Sequence, residues 1–276
     1  MSKSACEICP HRCRLEEGQT GLCKARSNHG GKVQSDSYGL ITSMALDPIE
    51  KKPLQLFFPG STILSVGSFG CNMDCPFCQN FEISQKSKAE SCYTEVSPEE
   101  LVSKALSLIP KRNIGIAFTY NEPFVGYEYV FDTSVLAHKN GLKTVLVTNG
   151  FVNEEPLKEL LPHIDAMNID LKTFSEEFYH RLGANLEDIK RTITLSAAAC
   201  HVELTTLIIP GENDSEDEMR RLSEWISGIR PDIPLHISRF FPRYKMLDRL
   251  PTDVALVYRL AQVAREILKY VFEGNC

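Results

Sequence analysis

Long apolar runs are missing from this sequence. No stretch approaches the ~20 residues that span a bilayer, so no membrane partner is expected. The first residues, Met-Ser-Lys-Ser-Ala-Cys-Glu, have no apolar core of the kind that marks a secretory signal. Positive charge is not in excess either: the formal net charge is −6. That balance argues against a general nucleic-acid binder, which carries a basic face, while leaving room for a local basic groove. Internal repeats, low-complexity tracts and heptads are also lacking.

Cysteine is what the chain has in quantity. Seven of its ten cysteines fall in two groups, Cys6, Cys9, Cys13, Cys23 and Cys71, Cys75, Cys78. Disulfide scaffolds are short and loop-rich. A chain of 276 residues at 43% hydrophobic is instead long enough for a large α/β core with a small appendage. Grouped thiols in such a chain fit metal binding in a reducing, cytoplasmic setting.

The chain divides into three parts. Residues 1–32 are polar, rich in cysteine and glycine, and need a metal or the main domain to become ordered. Residues 33–60 read as a connecting segment, with Asp47-Pro48 and Pro59-Gly60 as turns. Residues 61–276 form the main domain. There, strand patterns at Thr62–Ser68, Ile114–Thr119, Thr144–Thr148, Ala166–Asp170, Val202–Ile209 and Leu235–Ser238 alternate with helical ones. The helical patterns include Glu154–Leu161, Leu186–Cys200, Asp214–Ile229 and Thr252–Phe272, and Ser97-Pro98-Glu99-Glu100 is a helix start with a capping box. This alternation predicts an α/β fold with a parallel sheet, and six units predict a partial (β/α)6 barrel.

Cys71-Asn-Met-Asp-Cys75-Pro-Phe-Cys78 puts three thiols on one short loop. A mononuclear zinc site would want a fourth ligand, and none lies nearby in the sequence. A [4Fe–4S] cluster takes thiolates, and three of them leave one iron open to a small molecule. The plainer alternative is three buried or zinc-bound cysteines. At the amino end, four thiols in a segment without a core point to structural zinc or to an auxiliary [4Fe–4S] cluster, and spacing does not choose between them. His11, between two of these cysteines, reads as a surface residue.

Parallel α/β proteins carry function at the carboxyl ends of their strands. Here those ends hold the cysteine loop, then Thr119-Tyr120-Asn121-Glu122-Pro123, Thr148-Asn149-Gly150, Asp170-Leu171-Lys172, Ile209-Pro210-Gly211 and Ser238-Arg239-Phe240. Bland readings exist for each. Asn121 and Glu122 can cap a helix that Pro123 begins, Asp170 and Lys172 can be a surface pair, and Thr148, Asn149 and Gly150 can be a simple turn.

The cysteine loop resembles the cluster motif of the radical S-adenosylmethionine (SAM) enzymes, CxxxCxφC, with Phe77 in the aromatic slot. Thr-Asn-Gly-Phe-Val at 148–152, Asp170-x-Lys172 and the Pro-Gly turn at 210–211 resemble the pyruvate formate-lyase activating enzymes. A narrower likeness, to the radical SAM proteins of the AmmeMemoRadiSam system, covers nearly the whole chain. It rests on Cys9-Pro-His-Arg-Cys13-Arg-Leu, Asp47-Pro-Ile-Glu-Lys-Lys-Pro53, Phe58-Pro-Gly-Ser61, Cys78-Gln-Asn-Phe-Glu-Ile-Ser84, Thr119-Tyr-Asn-Glu-Pro123 and Ser238-Arg-Phe-Phe-Pro-Arg-Tyr-Lys-Met246.

The resemblance implies that Cys71, Cys75 and Cys78 hold a [4Fe–4S] cluster whose open iron chelates SAM. It implies that Asn121 and Glu122 meet the SAM ammonium, at a segment where relatives carry Gly-Gly-Glu-Pro and this chain has neither glycine. Asp170 is expected to face the ammonium and Lys172 the carboxylate. Thr148, Asn149, Phe77 and Arg239 complete the expected SAM surroundings, with Arg239 equally able to bind a partner's carboxylate. The implied activity is reductive cleavage of SAM to a 5′-deoxyadenosyl radical, which takes hydrogen from a substrate. A protein substrate and a flavodoxin- or ferredoxin-type reductant are expected. The alternatives are radical modification of a small molecule or nucleic acid, and a noncatalytic iron–sulfur electron carrier.

Overall fold

The computed structural model describes residues 3–276. Its centre is one eight-stranded sheet whose spatial order follows the chain. Strand β1 (Ser43–Pro48) runs antiparallel to β2 (Thr62–Gly67). Then β3 (Asn113–Phe118), β4 (Lys143–Thr148), β5 (Ala166–Asp170), β6 (His201–Ile208), β7 (Leu235–Arg239) and β8 (Val271–Gly274) add in parallel, one place at a time. Stepping always in one direction is how a βα barrel winds. The sheet keeps β1 and β8 as its edges, so the barrel is partial, as expected.

Helices α1 (Pro98–Ser107), α2 (Tyr127–Lys139), α3 (Glu154–Leu160), α4 (Glu176–Arg181), α5 (Leu186–Ala199), α6 (Glu216–Ile229) and α7 (Val254–Arg265) follow the strands. Their apolar residues recur at helical spacing and are buried, for example Leu186, Ile189 and Ile193 on α5 or Met219, Leu222 and Ile226 on α6. The capping box is complete: Glu100 N–H donates to Ser97 Oγ at 3.2 Å, and Ser97 N–H donates to the Glu100 carboxylate at 2.7 Å. Among the described residues no helix is long and apolar enough to cross a membrane.

Two strands exceed the expected six. The segment 33–60, expected to connect, supplies β1, and Asp47-Pro48 ends that strand instead of making a turn. The helix expected over Thr252–Phe272 stops at Arg265. Leu268, Val271 and their neighbours continue its apolar spacing by coincidence. The chain turns at 266–270, Tyr270 accepts from Leu235 N–H, and β8 pairs with β7.

The barrel interior is closed from below. Ile49, Leu54 and Phe57 pack with Ile63, Ala117, Val145 and Ala166 of the first barrel strands, all buried. Beside them Glu203, fully buried on β6, accepts from Gln55 and Leu56 N–H at 2.9 and 2.8 Å and pairs with His201 and His236 at 2.9 and 2.6 Å. Burial alone would raise this carboxyl; the two imidazoles and two N–H groups pull it down to about 2. The amino-terminal arm forms two small hairpins, Ser4–Ala5 with Arg14–Leu15 and Arg26–His29 with Lys32–Ser35. Cys23 and Ala25 seat it on Leu40, Phe69 and Val125.

Candidate functional site

The cysteine loop leaves the top of β2 and lies against the amino-terminal arm. At Gly70 the backbone has φ +85°, and a Cβ there would come within 2.5 Å of the Cys23 carbonyl oxygen and 2.6 Å of Ala25 Cβ, so only glycine fits. Directly after it, Cys71 N–H donates to the Cys23 carbonyl at 3.2 Å. Cys75 is buried, Cys71 and Cys78 half-buried, and all three are free thiols. The Cys71 sulfur accepts from Met73 N–H at 3.5 Å and from Asn149 Nδ2 at 3.6 Å, and Cys78 Sγ lies 3.1 Å from the Ser84 hydroxyl.

Burial pushes the Cys71 and Cys75 thiols up, Cys75 to about 12. Glu122 and the neighbouring sulfur raise Cys71 further, while Lys172 acts against the rise at Cys75. A positive centre is therefore needed to hold these sulfurs together as thiolates, and N–H groups already point at one of them. Among the described residues no three His, Cys, Asp or Glu side chains converge as ligands of a single ion. A cube, whose thiolates sit on separate irons, asks for a wider spacing. The donor set fits such a cluster.

The turn after β3 is tied to this loop. Asn121 Oδ1 accepts from Ser68 N–H at 2.9 Å, and its amide donates to the Phe69 and Gly70 carbonyls at 3.1 Å. Its oxygen is thus engaged with the backbone before Cys71. Glu122 is likewise turned inward. Its carboxylate accepts from Phe124 N–H (3.0 Å), Thr148 Oγ1 (2.8 Å) and Asn149 N–H (2.8 Å). Burial drives this carboxyl up to about 7, against those three donors, and Asp170 adds to the rise. The oxygens of Asn121 and Glu122, expected to face SAM, thus already have protein partners. Both brace the site, and Glu122 also caps the turn that Pro123 begins.

Thr148 and Asn149 are more than a bare turn. Asn149 joins Glu122, the Cys71 sulfur and Asn72 Oδ1 (2.9 Å), and Asn72 donates to the Phe151 carbonyl at 2.6 Å. Asn72, inside the cysteine motif, is a structural partner that the sequence reading passed over. The signal was its place between two ligand-type cysteines.

Asp170 and Lys172 form a close pair, 2.8 Å, with the ammonium 13% exposed and the carboxylate 35%. Burial opposes the Lys172 charge, but Asp170 and Cys75 outweigh it and raise its pKa. The ammonium lies 5.9 Å from the centre of the Phe77 ring. Cys75, Phe77, Asp170 and Lys172 therefore meet at one spot. Arg239 stands two strands away at the end of β7, where Nε donates to the Thr252 carbonyl (2.7 Å) and the guanidinium covers Phe241 (4.8 Å). From there the chain returns across the mouth: Lys245 N–H donates to the Pro76 carbonyl (2.9 Å), Lys245 pairs with Asp74 (2.9 Å) and Tyr244 stacks on Phe81 (4.6 Å).

In the arm, Cys6, Cys9 and Cys23 are buried and Cys13 half-buried. Burial raises the Cys9 and Cys23 thiols to about 12 and 11, and the sulfurs of this group raise one another further. Arg26 sits against Cys6 with a buried Nε that has no hydrogen-bond partner, while its other nitrogens grip Glu128 at 2.8 and 2.6 Å. His11 is a strut rather than a surface residue: Nε2 lies 2.9 Å from the Asn72 carbonyl oxygen, and its ring meets Phe151 edge-on at 5.2 Å.

Known proteins resemble this chain in sequence and in fold. The sequence profile of the Radical SAM superfamily matches residues 65–223. Uncharacterized protein MJ0808 of Methanocaldococcus jannaschii is 41% identical over 99% of this chain and 82% of its own length. Pyruvate formate-lyase 1-activating enzyme of Escherichia coli K12 is 27% identical over 56% of this chain, which spans 65% of that enzyme, less than two thirds. Among solved structures, Streptococcus suis SuiB bound to the precursor peptide SuiA superposes with a TM-score of 0.60 at 11% identity, covering 76% of this chain and 47% of SuiB. That likeness is one of fold.

Proposed function

Because the chain belongs to the radical SAM superfamily, we propose that its mouth generates a 5′-deoxyadenosyl radical for use on a protein or peptide substrate. Cys71, Cys75 and Cys78 are the residues that would hold the [4Fe–4S] cluster. When bound, cluster and SAM supply a one-electron reductive cleavage of the sulfonium; the chain supplies position, charge and shielding. The observation that carries this reading is the meeting of Cys75, Phe77, Asp170 and Lys172 at one strand end.

Asp170 is the group for the methionyl ammonium and Lys172 for its carboxylate, a charge-complementary clamp beside Cys75. Glu122 and Asn121 act behind it by fixing Asn149 and the loop entering Cys71. The strap from Phe240 to Met246 covers the cysteine loop and limits water there. Arg239 is left for the adenosine end or for a partner's carboxylate. Of the two centres expected at the four arm cysteines, an auxiliary [4Fe–4S] cluster accords better than zinc with side chains that do not converge on a single ion. The buried Arg26 guanidinium, which acts on Cys6, supports an anionic thiolate centre there.

A protein substrate is supported by the unpaired flank between β1 and β8, which leaves the partial barrel open on one side. The activating-enzyme likeness supports the same reading and extends it to installing a glycyl radical. A flavodoxin- or ferredoxin-type protein would supply the electron.

The test is anaerobic. The protein is reconstituted with iron and sulfide, given dithionite and SAM, and assayed for 5′-deoxyadenosine beside Cys75→Ala. Product from the wild type alone is expected. No product from a sample with a reducible [4Fe–4S] cluster would sink the reading and favour an electron carrier.

A further inference from the structure

We propose that Tyr120 is a positioning residue for the SAM site, anchored by its side chain to Asp47 and Lys52 so that the turn 119–122 aligns the cysteine loop with Asn149. The inference rests on the mouth being the SAM site and adds a device within it. Tyr120 has φ +73°, a left-handed backbone that favours glycine and that a bulky side chain adopts only when its surroundings impose it. Those surroundings are visible. The Tyr120 hydroxyl donates to Asp47 Oδ2 at 2.9 Å, and the Lys52 ammonium donates to the same oxygen at 2.8 Å. Lys52, 3% exposed, also lies 4.6 Å from the centre of the Tyr120 ring. Against the burial that raises it, these two groups hold the Asp47 carboxyl below its usual range.

Space for the ring is cut from β2. A Cβ on Gly67 would lie 2.6 Å from the Thr119 carbonyl oxygen and 2.9 Å from Tyr120 Cβ. The ring is therefore held from two sides, by the ion pair of residues 47 and 52 and by the bare backbone of Gly67. What the anchored backbone does is equally specific. The Tyr120 carbonyl accepts from Asn80 Nδ2 at 2.8 Å, two residues after Cys78. The next residue, Asn121, holds Ser68, Phe69 and Gly70, which lead into Cys71. Glu122 then holds Thr148 and Asn149. One strained residue thus joins both ends of the cysteine loop to the end of β4. A side chain tied to Asp47 does what a free glycine cannot, because it removes the alternative backbone shapes.

The test uses Tyr120→Phe, which keeps the ring and loses the bond to Asp47, and Tyr120→Gly, which keeps the backbone shape accessible and loses the anchor. SAM affinity is measured on protein carrying the reconstituted cluster, with iron and sulfide content as the check on loading. Tyr120→Gly is expected to bind SAM about tenfold more weakly at unchanged iron content, with Tyr120→Phe intermediate. A second measurement needs no cluster: amide hydrogen exchange of the apoprotein. Exchange at Ser68 and Asn149 is expected to quicken in Tyr120→Gly, while Gln55 and Leu56 under the barrel keep wild-type protection.

Wild-type SAM affinity in both variants overturns the proposal, whatever happens to thermal stability. So does faster exchange spread evenly over mouth and floor, which marks a purely structural residue. Should the wild type itself fail to bind SAM, the reading of the mouth fails instead, and the exchange at Ser68 and Asn149 still decides whether the anchor exists.

Discussion

Glu122 at the mouth and Glu203 under the floor are both buried in the same barrel, and their surroundings move them in opposite directions. Glu122 is met by two backbone N–H groups and a hydroxyl, none of them cationic, and burial carries it up to about 7. Glu203 is met by two backbone N–H groups and two imidazoles, and falls to about 2. The difference is what each end of the barrel is for. The floor satisfies its own charge internally and closes the barrel with Leu54 and Phe57. The mouth gathers thiols, a half-open ion pair and a carboxyl poised near neutrality, which is how a site prepared for a ligand differs from a packed core.

The floor is the costlier end of the barrel to disrupt. Glu203→Ala leaves His201, His236 and the N–H groups of Gln55 and Leu56 without their acceptor. A loss of about 3–5 kcal/mol in unfolding free energy is expected. Deoxyadenosine formation per folded, cluster-loaded molecule should be unchanged. A selective loss of activity would mean that the floor belongs to the site.

The two carboxyls also predict pH limbs of opposite sign. For Glu203, the stabilisation is complete above its ordinary value of 4.5 and is lost as pH falls toward about 2. For Glu122, the native state keeps the proton, so stability is greatest below 4.5 and declines as pH rises through about 7. Each limb amounts to about 3 kcal/mol at 1.36 kcal/mol per pKa step. Urea midpoints of the apoprotein across that range, for wild type, Glu203→Gln and Glu122→Gln, separate them. Each substitution should flatten its own limb and spare the other.

Gly67→Ala tests the mouth by packing. The added methyl meets the Thr119 backbone oxygen, which cannot rotate away, and the Tyr120 side chain. Overpacking of this kind costs about 1–3 kcal/mol. Weaker SAM binding should accompany the stability loss, in contrast to Glu203→Ala.

The mouth was more legible in the sequence than the floor, for physical reasons. Strands buried on both faces show as apolar runs, and polar residues collect where those runs stop, so the cysteine loop, Asp170 and Lys172 could be placed by position alone. Glu203 sits inside such a run, and nothing local says that His236, a strand away, will meet it. Asp47 and Lys52 are five residues apart in what reads as a turn, yet they act on Tyr120 far along the chain. Strand β1 is half-exposed and ends in proline, so it offers neither an apolar run nor a clear alternation. Tyr120 reads as a replaced glycine, but the contacts that hold it in a left-handed backbone are brought together only by folding.

The smallest expected effect lies on the boundary between the two regions. Thr205 is the register partner of Asp170, and its hydroxyl donates to Asn168 Oδ1 at 3.0 Å. Asn168 in turn donates to the Pro53 carbonyl of the floor at 2.9 Å. Thr205→Val keeps the shape and removes one buried donor, leaving the Asn168 oxygen without its partner. The expected loss is about 1 kcal/mol in unfolding free energy, read from urea midpoints. If Thr205 belongs to the floor, as its bond through Asn168 to Pro53 argues, SAM affinity and deoxyadenosine yield stay at wild-type values. A drop in either without a drop in stability would move the boundary down by one layer, because Asp170 would then depend on its neighbour's hydroxyl for its place at the mouth.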